Sequence, residues 1–468
     1  MLTADPNRAV YDSILDTIGH TPLVRLNRVT RGLACRMYAK VEFFNPGGSV
    51  KDRIGPRMLA AAEQSGALKP SGTVVEGTSG NTGVGLAIAC AIKGYKAVFV
   101  MPDKMSQEKI QLLRAFGARV VMTPTAVEPE DPRSYYSVAD KIVAETPNAI
   151  LANQYHNPEN PAAHYQTTGP EIWEQTEGQV TDVVIGMGTG GTITGVGRFL
   201  KEQDPRVRII GVDPYGSLLY ETWRQGRLPD EPEVKPYKIE GIGEDFLPTA
   251  LDLNIVDEVL QIGDKESFLM ARRLVRDEGI FCGGSSGSAV AAAVRYAVRL
   301  DAERNVVVVL PDSGSRYLSK IFDDDWMRES GFLESTWAST HTVDVLDSKT
   351  STDVFTATPA DRMVDVVTAM KAHNISQLPV VDEGSLVGLV SEVDLLNHML
   401  LAEHKHSPGE NIADLVEYNV TTVKPDTPME TLMSLFATGQ VAVVTEDSQP
   451  VGIITKIDLL DYLATHTN

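Results

Sequence analysis

The sequence predicts an α/β protein: a core of mostly parallel strands alternating with helices, followed by a smaller α+β module. Three observations predict it. From about Ala39 to Leu310, short Val- and Ile-rich runs ending in Gly, Pro or Ser alternate with helical stretches. After Trp326 the chain turns rich in Ser, Thr and Asp. The last part contains an internal repeat with an offset of 64 residues between Asp394 and Asp458. A chain of 468 residues holds two or three domains and buries a large core without covalent staples.

The core strands are expected at Thr73–Glu76, Ala97–Met101, Arg119–Met122, Asp182–Gly186, Ile209–Val212 and Val306–Leu310. Continuous apolar runs of this kind are buried on both faces, as parallel strands with helical crossovers are. Such sheets take ligands at the carboxyl ends of their strands, so chemistry is expected in the loops that follow them. We expect the core over residues 1–328, a linker over 329–340, and two repeats over 341–402 and 403–468. In the first repeat Leu386–Leu396 follows a strand and a turn, and Pro450–Leu460 echoes it in the second. Each repeat reads strand, turn, strand, helix, with an apolar helix upstream at Met363–Ala372 and Met429–Ala437. Two such units bury each other's apolar faces.

Charge and cysteine usage narrow the function. The net charge is −21, and residues 338–468 carry −13 of it on 6 basic and 19 acidic residues. No basic excess exists to neutralise phosphates, so nucleic-acid binding is not expected. Cys35, Cys90 and Cys282 lie far apart with no C-x-x-C pair, which argues against a disulfide framework or a zinc site and fits a reducing cytoplasm. The first twenty residues lack the pattern of a signal peptide, and no run of about 18 apolar residues occurs, so no membrane association is expected.

Four loops carry candidate chemistry. In Asn45-Pro-Gly-Gly-Ser-Val-Lys-Asp-Arg a tight turn precedes a helix starting near Ser49, placing Lys51 in its first turn. The helix dipole is positive there, so a lysine amine is held partly uncharged and able to act as nucleophile and base; a plain surface lysine is the simpler reading. Thr78-Ser-Gly-Asn-Thr-Gly follows a strand and offers hydroxyls and backbone N–H groups to an anion such as a substrate carboxylate. Asn81 could hydrogen-bond a ring hydroxyl. An N-cap with flexible glycines is the alternative. Gly188-Thr-Gly-Gly-Thr lets backbone approach a phosphate, with Thr189 and Thr192 as hydroxyl donors. It lacks the lysine of a nucleoside-triphosphate loop, so one dianionic cofactor phosphate suits it better. Cys282-Gly-Gly-Ser-Ser-Gly opens a helix at Ser285, either as a turn with a capping serine or as a neutral hydroxyl beside a heteroaromatic nitrogen.

A reactive lysine, a phosphate cup, a carboxylate cup and that hydroxyl together describe pyridoxal 5′-phosphate. In order and position the four loops resemble the fold-type II pyridoxal enzymes of the cysteine synthase and cystathionine β-synthase family, over about Ile14 to Gly331. The resemblance implies two α/β subdomains with mostly parallel sheets. It makes Lys51 the Schiff-base lysine, puts Asn81 on the cofactor's ring oxygen, Gly188, Thr189, Gly190, Gly191 and Thr192 on its phosphate, and Ser285 on its pyridine nitrogen. Thr78, Ser79, Thr82, Gln154 and Gly241 are implied to meet the substrate. Gly77 departs from the proline expected before the Thr78 loop. A serine rather than an aspartate at the ring nitrogen favours elimination at Cβ over transamination.

Within that family, three segments resemble the β-synthase branch: Ile239–Pro248, Leu310–Lys320, and the two repeats, which resemble a tandem CBS-domain (Bateman) module. Glu244 departs from the aromatic residue common at its position. The implied reaction replaces the hydroxyl of L-serine by L-homocysteine, giving cystathionine and water. Cysteine synthase (O-acetylserine sulfhydrylase), serine/threonine dehydratase and a catalytically minor adenosyl-ligand sensor stay open. Haem is not expected, because no Cys or His precedes His20. No metal is expected, and His156 and His164 read as structural. The family implies at least a homodimer held by the core. In the repeats, Ser391 and Asp394, and Thr455 and Asp458, put a hydroxyl at a helix start and a carboxylate one turn on. Such a carboxylate can hold a ribose, so an adenosyl ligand is expected, S-adenosylmethionine before AMP given the net charge; simple helix caps are the alternative.

Overall fold

The computed structural model describes residues 10–78, 80–103, 107–124, 127, 131–333, 340–349, 353–400, 409–437 and 441–466. The chain divides into two compact units, Met1–Leu333 and Glu334–Asn468.

Among its described residues the first unit holds ten strands: β1 Leu23–Arg25, β2 Arg36–Val41, β3 Thr73–Gly77, β4 Lys96–Pro102, β5 Arg119–Thr123, β6 Ala149–Leu151, β7 Asp182–Gly186, β8 Arg208–Pro214, β9 Glu258–Ile262 and β10 Asn305–Leu310. They form a four-stranded sheet in the order β5-β4-β3-β6 and a six-stranded sheet in the order β1-β2-β10-β7-β8-β9. Every pairing is parallel except that of β1 with β2. All six expected strands are present. Leu23–Arg25, Arg36–Val41, Ala149–Leu151 and Glu258–Ile262 are additional to those expected, because charged or short runs hide their pattern. The larger sheet is buried on both faces: Val184, Val306 and Val308 lie in one apolar cluster, Val183, Val307 and Val309 in the other. That two-sided burial explains why these strands read as unbroken apolar runs.

Two helices set the Lys51 turn against the Thr78 loop. Ile54–Gln64 follows Lys51, and Asn81–Lys93 follows the Thr78 loop, ending at Gly94 with φ +76°. They meet backbone to backbone. A Cβ on Gly55 would stand 2.5 Å from the Gly85 carbonyl oxygen, and one on Gly85 would stand 2.5 Å from the Lys51 carbonyl oxygen. Only glycine permits that approach, and it fixes where Lys51 stands.

In the second unit each repeat shows the expected order. Helix Met363–His373 precedes the hairpin Gln377–Asp382/Ser385–Ser391 and helix Glu392–Leu400; helix Met429–Ala437 precedes the hairpin Ala442–Glu446/Gln449–Ile454 and helix Lys456–His466. Both hairpin tips place two successive residues at positive φ, Glu383 and Gly384, and Asp447 and Ser448, as tight hairpin turns require. The stretch after Trp326 has more structure than its composition suggests. Helix Thr342–Asp347 buries Val345 and Leu346 among Met429, Leu432 and Ile454 of the second repeat. Ile412 and Val416 are buried with Met363, Leu378 and Val390 of the first. The glycines of the repeat make room for these crossings. A Cβ on Gly388 would meet Val416 at 2.1 Å, and one on Gly452 would meet Leu346 at 2.4 Å. A boundary near residue 402 therefore divides the chain without dividing the cores.

Candidate active site

The four loops converge at the carboxyl ends of the strands. Ser49 caps a short 3-10 turn, Val50–Arg53, its side chain accepting from the Lys51 N–H; Lys51 thus sits in a 3-10 turn ahead of the α-helix rather than within it. Lys51 Nζ lies 3.2 Å from Thr189 Oγ1 in the glycine loop. Burial lowers the Lys51 amine to about 8, while Glu244 pulls the other way. An amine near that value is partly neutral at neutral pH, as a nucleophile and base requires.

The turn is anchored from behind by an ion network the sequence reading missed. Arg53 Nε meets Glu42 at 2.7 Å and its Nη1 meets Glu171 at 2.6 Å; Lys40 Nζ meets Glu171 at 2.6 Å. All four side chains are buried. Two cations facing two carboxylates balance, which makes such burial tolerable; losing one partner strands a charge, typically at about 3–5 kcal/mol.

The glycine loop follows β7 and begins helix Gly191–Gln203, whose N-cap Gly190 has φ +85° and no capping side chain. The first N–H groups of a helix have no partner within it, so this end is open to an anion. A Cβ on Gly190 would stand 2.3 Å from Leu251 Cβ, one on Gly191 1.8 Å from Asn160 Oδ1, and one on Gly188 2.9 Å from the Gly241 carbonyl oxygen. Neighbours fill the space behind the loop and leave its amide face bare. Asn160 also donates to Thr189 Oγ1 at 3.2 Å. Thr192 Oγ1 lies 3.3 Å from His164 Nε2, whose Nδ1 lies 2.9 Å from Thr168 Oγ1. Burial holds His164 well below its usual value, so it is neutral and braces the loop. His156 lies 2.9 Å from Thr249 Oγ1.

Thr78, Thr82 and Gln154 are buried at the end of the other sheet. Thr82 Oγ1 donates to Gln154 Oε1 at 2.5 Å. Glu76 receives the Asn153 and Gln154 N–H groups at 2.6 and 3.3 Å, fixing the Gln154 loop to β3. Ser79 lies outside the described residues. The N-cap of helix Asn81–Lys93 is Gly80, with no capping side chain. Where proline was expected, Gly77 admits Tyr135: a Cβ there would stand 2.9 Å from its ring.

Asn81 donates to Asp312 Oδ2 at 2.8 Å, and Tyr317 donates to the same oxygen at 2.7 Å. Gly283 N–H donates to the Asp312 carbonyl oxygen at 3.0 Å. Asp312 thus ties Asn81 to the loop that opens helix Gly284–Ala297, a role its isolated position after β10 did not signal. That helix is capped by Gly283, not by a serine; buried Ser285 stands in its first turn. Gly241, with φ +90°, borders the glycine loop through its carbonyl oxygen. The residues fit pyridoxal phosphate: a lysine amine beside a bare amide cradle, with an amide and a hydroxyl on two further loops.

The pattern of the family described as "Pyridoxal-phosphate dependent enzyme" matches residues 14–312, and that of the CBS domain matches 344–401 and 412–465. Over 470 residues the chain is 42% identical to the cystathionine beta-synthase of Dictyostelium discoideum, spanning 97% of this chain and 93% of that one. The chain belongs to the cystathionine β-synthase family of pyridoxal-phosphate dependent enzymes. It is also 38% identical to the cystathionine beta-synthase of Saccharomyces cerevisiae, spanning 97% and 98% of the two chains. Among solved structures, a hydrogen sulfide-producing enzyme from Fusobacterium nucleatum superposes with a TM-score of 0.61 at 36% identity, over 66% of this chain and all of that one. The fold-type II core and the CBS repeats inferred from the sequence are those of this family.

The hydroxyl–carboxylate pairs of the repeats close on themselves. Ser391 N–H and Oγ donate to Asp394 Oδ2 at 2.9 and 2.5 Å, and Asp394 N–H donates back to Ser391 Oγ at 3.2 Å. Thr455 N–H and Oγ1 donate to Asp458 Oδ2 at 2.8 and 2.7 Å, where Lys349 Nζ also binds at 3.0 Å. The first pair is a reciprocal helix cap, and in the second the carboxylate takes the Thr455 N–H and hydroxyl, so at least one oxygen of each carboxylate is engaged within the fold. Among the described residues no group of three or more His, Cys, Asp or Glu is placed to hold a metal ion, and no helix is long and apolar enough to cross a membrane.

Proposed function

We propose that the protein condenses L-serine with L-homocysteine to cystathionine and water, a β-replacement. The observation that carries it is Lys51 Nζ at the lip of the glycine loop in a chain matched end to end by cystathionine β-synthases. Pyridoxal phosphate supplies the sink for charge developing at the substrate α-carbon. Gly188, Thr189, Gly190, Gly191 and Thr192 hold its phosphate, Asn81 its ring oxygen and Ser285 its ring nitrogen. The Asp312 bond uses one of the two amide hydrogens of Asn81 and leaves the other for that oxygen. Thr78, Ser79, Thr82 and Gln154 hold the carboxylate of serine, with Gly241 at the edge of the cleft. The Lys51 amine removes the α-proton, a role worth about 10²–10⁴-fold in rate. Neutral Ser285 cannot supply a counter-charge to the ring nitrogen, which favours loss of the β-hydroxyl.

The catalytic core runs over residues 1–328. The repeats, 341–402 and 403–468, bind an adenosyl ligand, S-adenosylmethionine or AMP, through Ser391, Asp394, Thr455 and Asp458 and modulate the core. The protein acts as a homodimer or larger assembly in the cytoplasm, without haem or metal. Product analysis with serine plus homocysteine, serine plus sulfide, and O-acetylserine plus sulfide tests the reaction. Cystathionine should dominate; efficient use of O-acetylserine and sulfide alone would make the protein a cysteine synthase. Calorimetry with S-adenosylmethionine and AMP tests the repeats: if Asp394→Ala and Asp458→Ala leave binding of both ligands intact, the two residues are caps only.

A further inference from the structure

The second substrate of such a reaction is itself an amino acid, and the carboxylate cup of Thr78, Thr82 and Gln154 serves the first. Its α-ammonium needs an anionic partner, and Glu244 is placed to be one. Glu244 Oε1 stands 3.6 Å from where a Cβ on Gly188 would lie, against the loop whose next residue meets Lys51. Its backbone is fixed: its N–H donates to Ser217 Oγ at 3.0 Å, and its carbonyl accepts from Leu218 N–H at 3.0 Å. Its carboxylate makes no hydrogen bond to any described residue. Tyr136 and Tyr155 lie near enough for their hydroxyls to feel the charge of Glu244. Phe246 packs edge-on against Tyr155, with centroids 5.0 Å apart, and against Tyr136 at 6.4 Å. A carboxylate among aromatic side chains is an environment that recognises an ammonium group. Burial and Asp245 push the Glu244 carboxyl up to about 8, while Lys51 pulls it down. An arriving ammonium would favour its ionised form.

We propose that Glu244, with the wall formed by Tyr136, Tyr155 and Phe246, receives the α-ammonium of the incoming thiol amino acid and selects it over thiols that lack an amino group. The inference rests on the condensation proposed above. Its test compares homocysteine with 4-mercaptobutyrate, which keeps the thiol, chain and carboxylate but has no ammonium, each with serine as first substrate. The wild-type enzyme should prefer homocysteine in kcat/KM by on the order of 10- to 100-fold, the range of one charge-assisted contact. Glu244→Gln should bring that ratio close to one, and Glu244→Asp should fall between. Any effect of Glu244 on Lys51 acts on both thiols and cancels in the ratio. An unchanged ratio in Glu244→Gln overturns the inference. So does a wild-type enzyme that takes both thiols equally well, which needs no variant to fold. A wild-type enzyme that forms no cystathionine overturns the proposed reaction, and this inference with it.

Discussion

The core and the CBS repeats use the same local grammar and put it to opposite ends. In both, a strand ends, a short loop follows, and a helix begins near Ser or Thr. In the core three α-helix starts next to the candidate site have glycine caps, Gly80, Gly190 and Gly283, with no capping side chain, although Ser49 does cap the short turn that carries Lys51. The first N–H groups of a helix have no partner within it, so at these starts a ligand can complete them. In the repeats, the groups next to the helix starts bond within the chain: Ser391 accepts the Asp394 N–H, and the Asp394 and Asp458 carboxylates take the N–H and hydroxyl of Ser391 and Thr455. An uncapped helix start can take a ligand on its free N–H groups, whereas a capped one has already met its main electrostatic need.

The largest test of this contrast removes the lysine. Lys51→Ala should fold, lose the yellow colour of bound pyridoxal phosphate, and lose at least about 10²–10⁴-fold in turnover; visible absorption and product formation check it. An active, coloured variant would sink the assignment.

Next is the cradle itself. Gly191→Ala puts a methyl 1.8 Å from Asn160 Oδ1, so the loop or Asn160 must move, a strain typically worth about 1–3 kcal/mol. Pyridoxal phosphate affinity, measured by equilibrium dialysis, should fall by on the order of 10-fold or more. Unchanged affinity would mean that the loop does not hold the phosphate.

A pH prediction separates the two regions by stability. Burial pushes the Glu76 carboxyl up to about 7, against the backbone N–H groups of Gln154 and Asn153 that pull it down. A raised folded-state value means the fold favours the protonated form. That stabilisation is complete below the ordinary glutamate value of about 4.3 and is lost as pH rises through about 7. Asp52 and Asp213, likewise raised to about 7 by burial, act in the same direction. The melting temperature of the core should therefore fall as pH rises from about 4.3 to about 7 and level off above it, and Glu76→Gln should flatten part of that drop. A variant with the wild-type pH slope would show that Glu76 stays ionised throughout.

The smallest effect is expected in the repeats. Thr455→Ala removes the hydroxyl that donates to Asp458 and should lower the stability of the second repeat by about 1 kcal/mol, read from denaturant melts. Serine turnover without added nucleotide should stay within twofold of wild type, about 0.4 kcal/mol. A large loss of turnover would mean that this contact acts on the catalytic core.

Much of this was legible in the sequence because it is local. Strands such as Asp182–Gly186 announce themselves by β-branched runs, glycine loops by composition, and the repeat by its period. Lys51 and the glycine loop are singled out by short motifs that encode their own turns, whereas Thr82 and Gln154 are named through the family resemblance. Only the tertiary structure decided which distant groups meet. Asp312 on Asn81, the Arg53–Glu42–Glu171–Lys40 network, Gly85 against the Lys51 carbonyl and Glu244 facing Lys51 join residues far apart in the chain. No local pattern marks them, since each depends on two elements packing at one distance and orientation. The same holds for the capping pairs. Their spacing is written in the sequence, but whether a hydroxyl and a carboxylate turn toward a ligand or toward each other is settled by the position of the helix start in the fold.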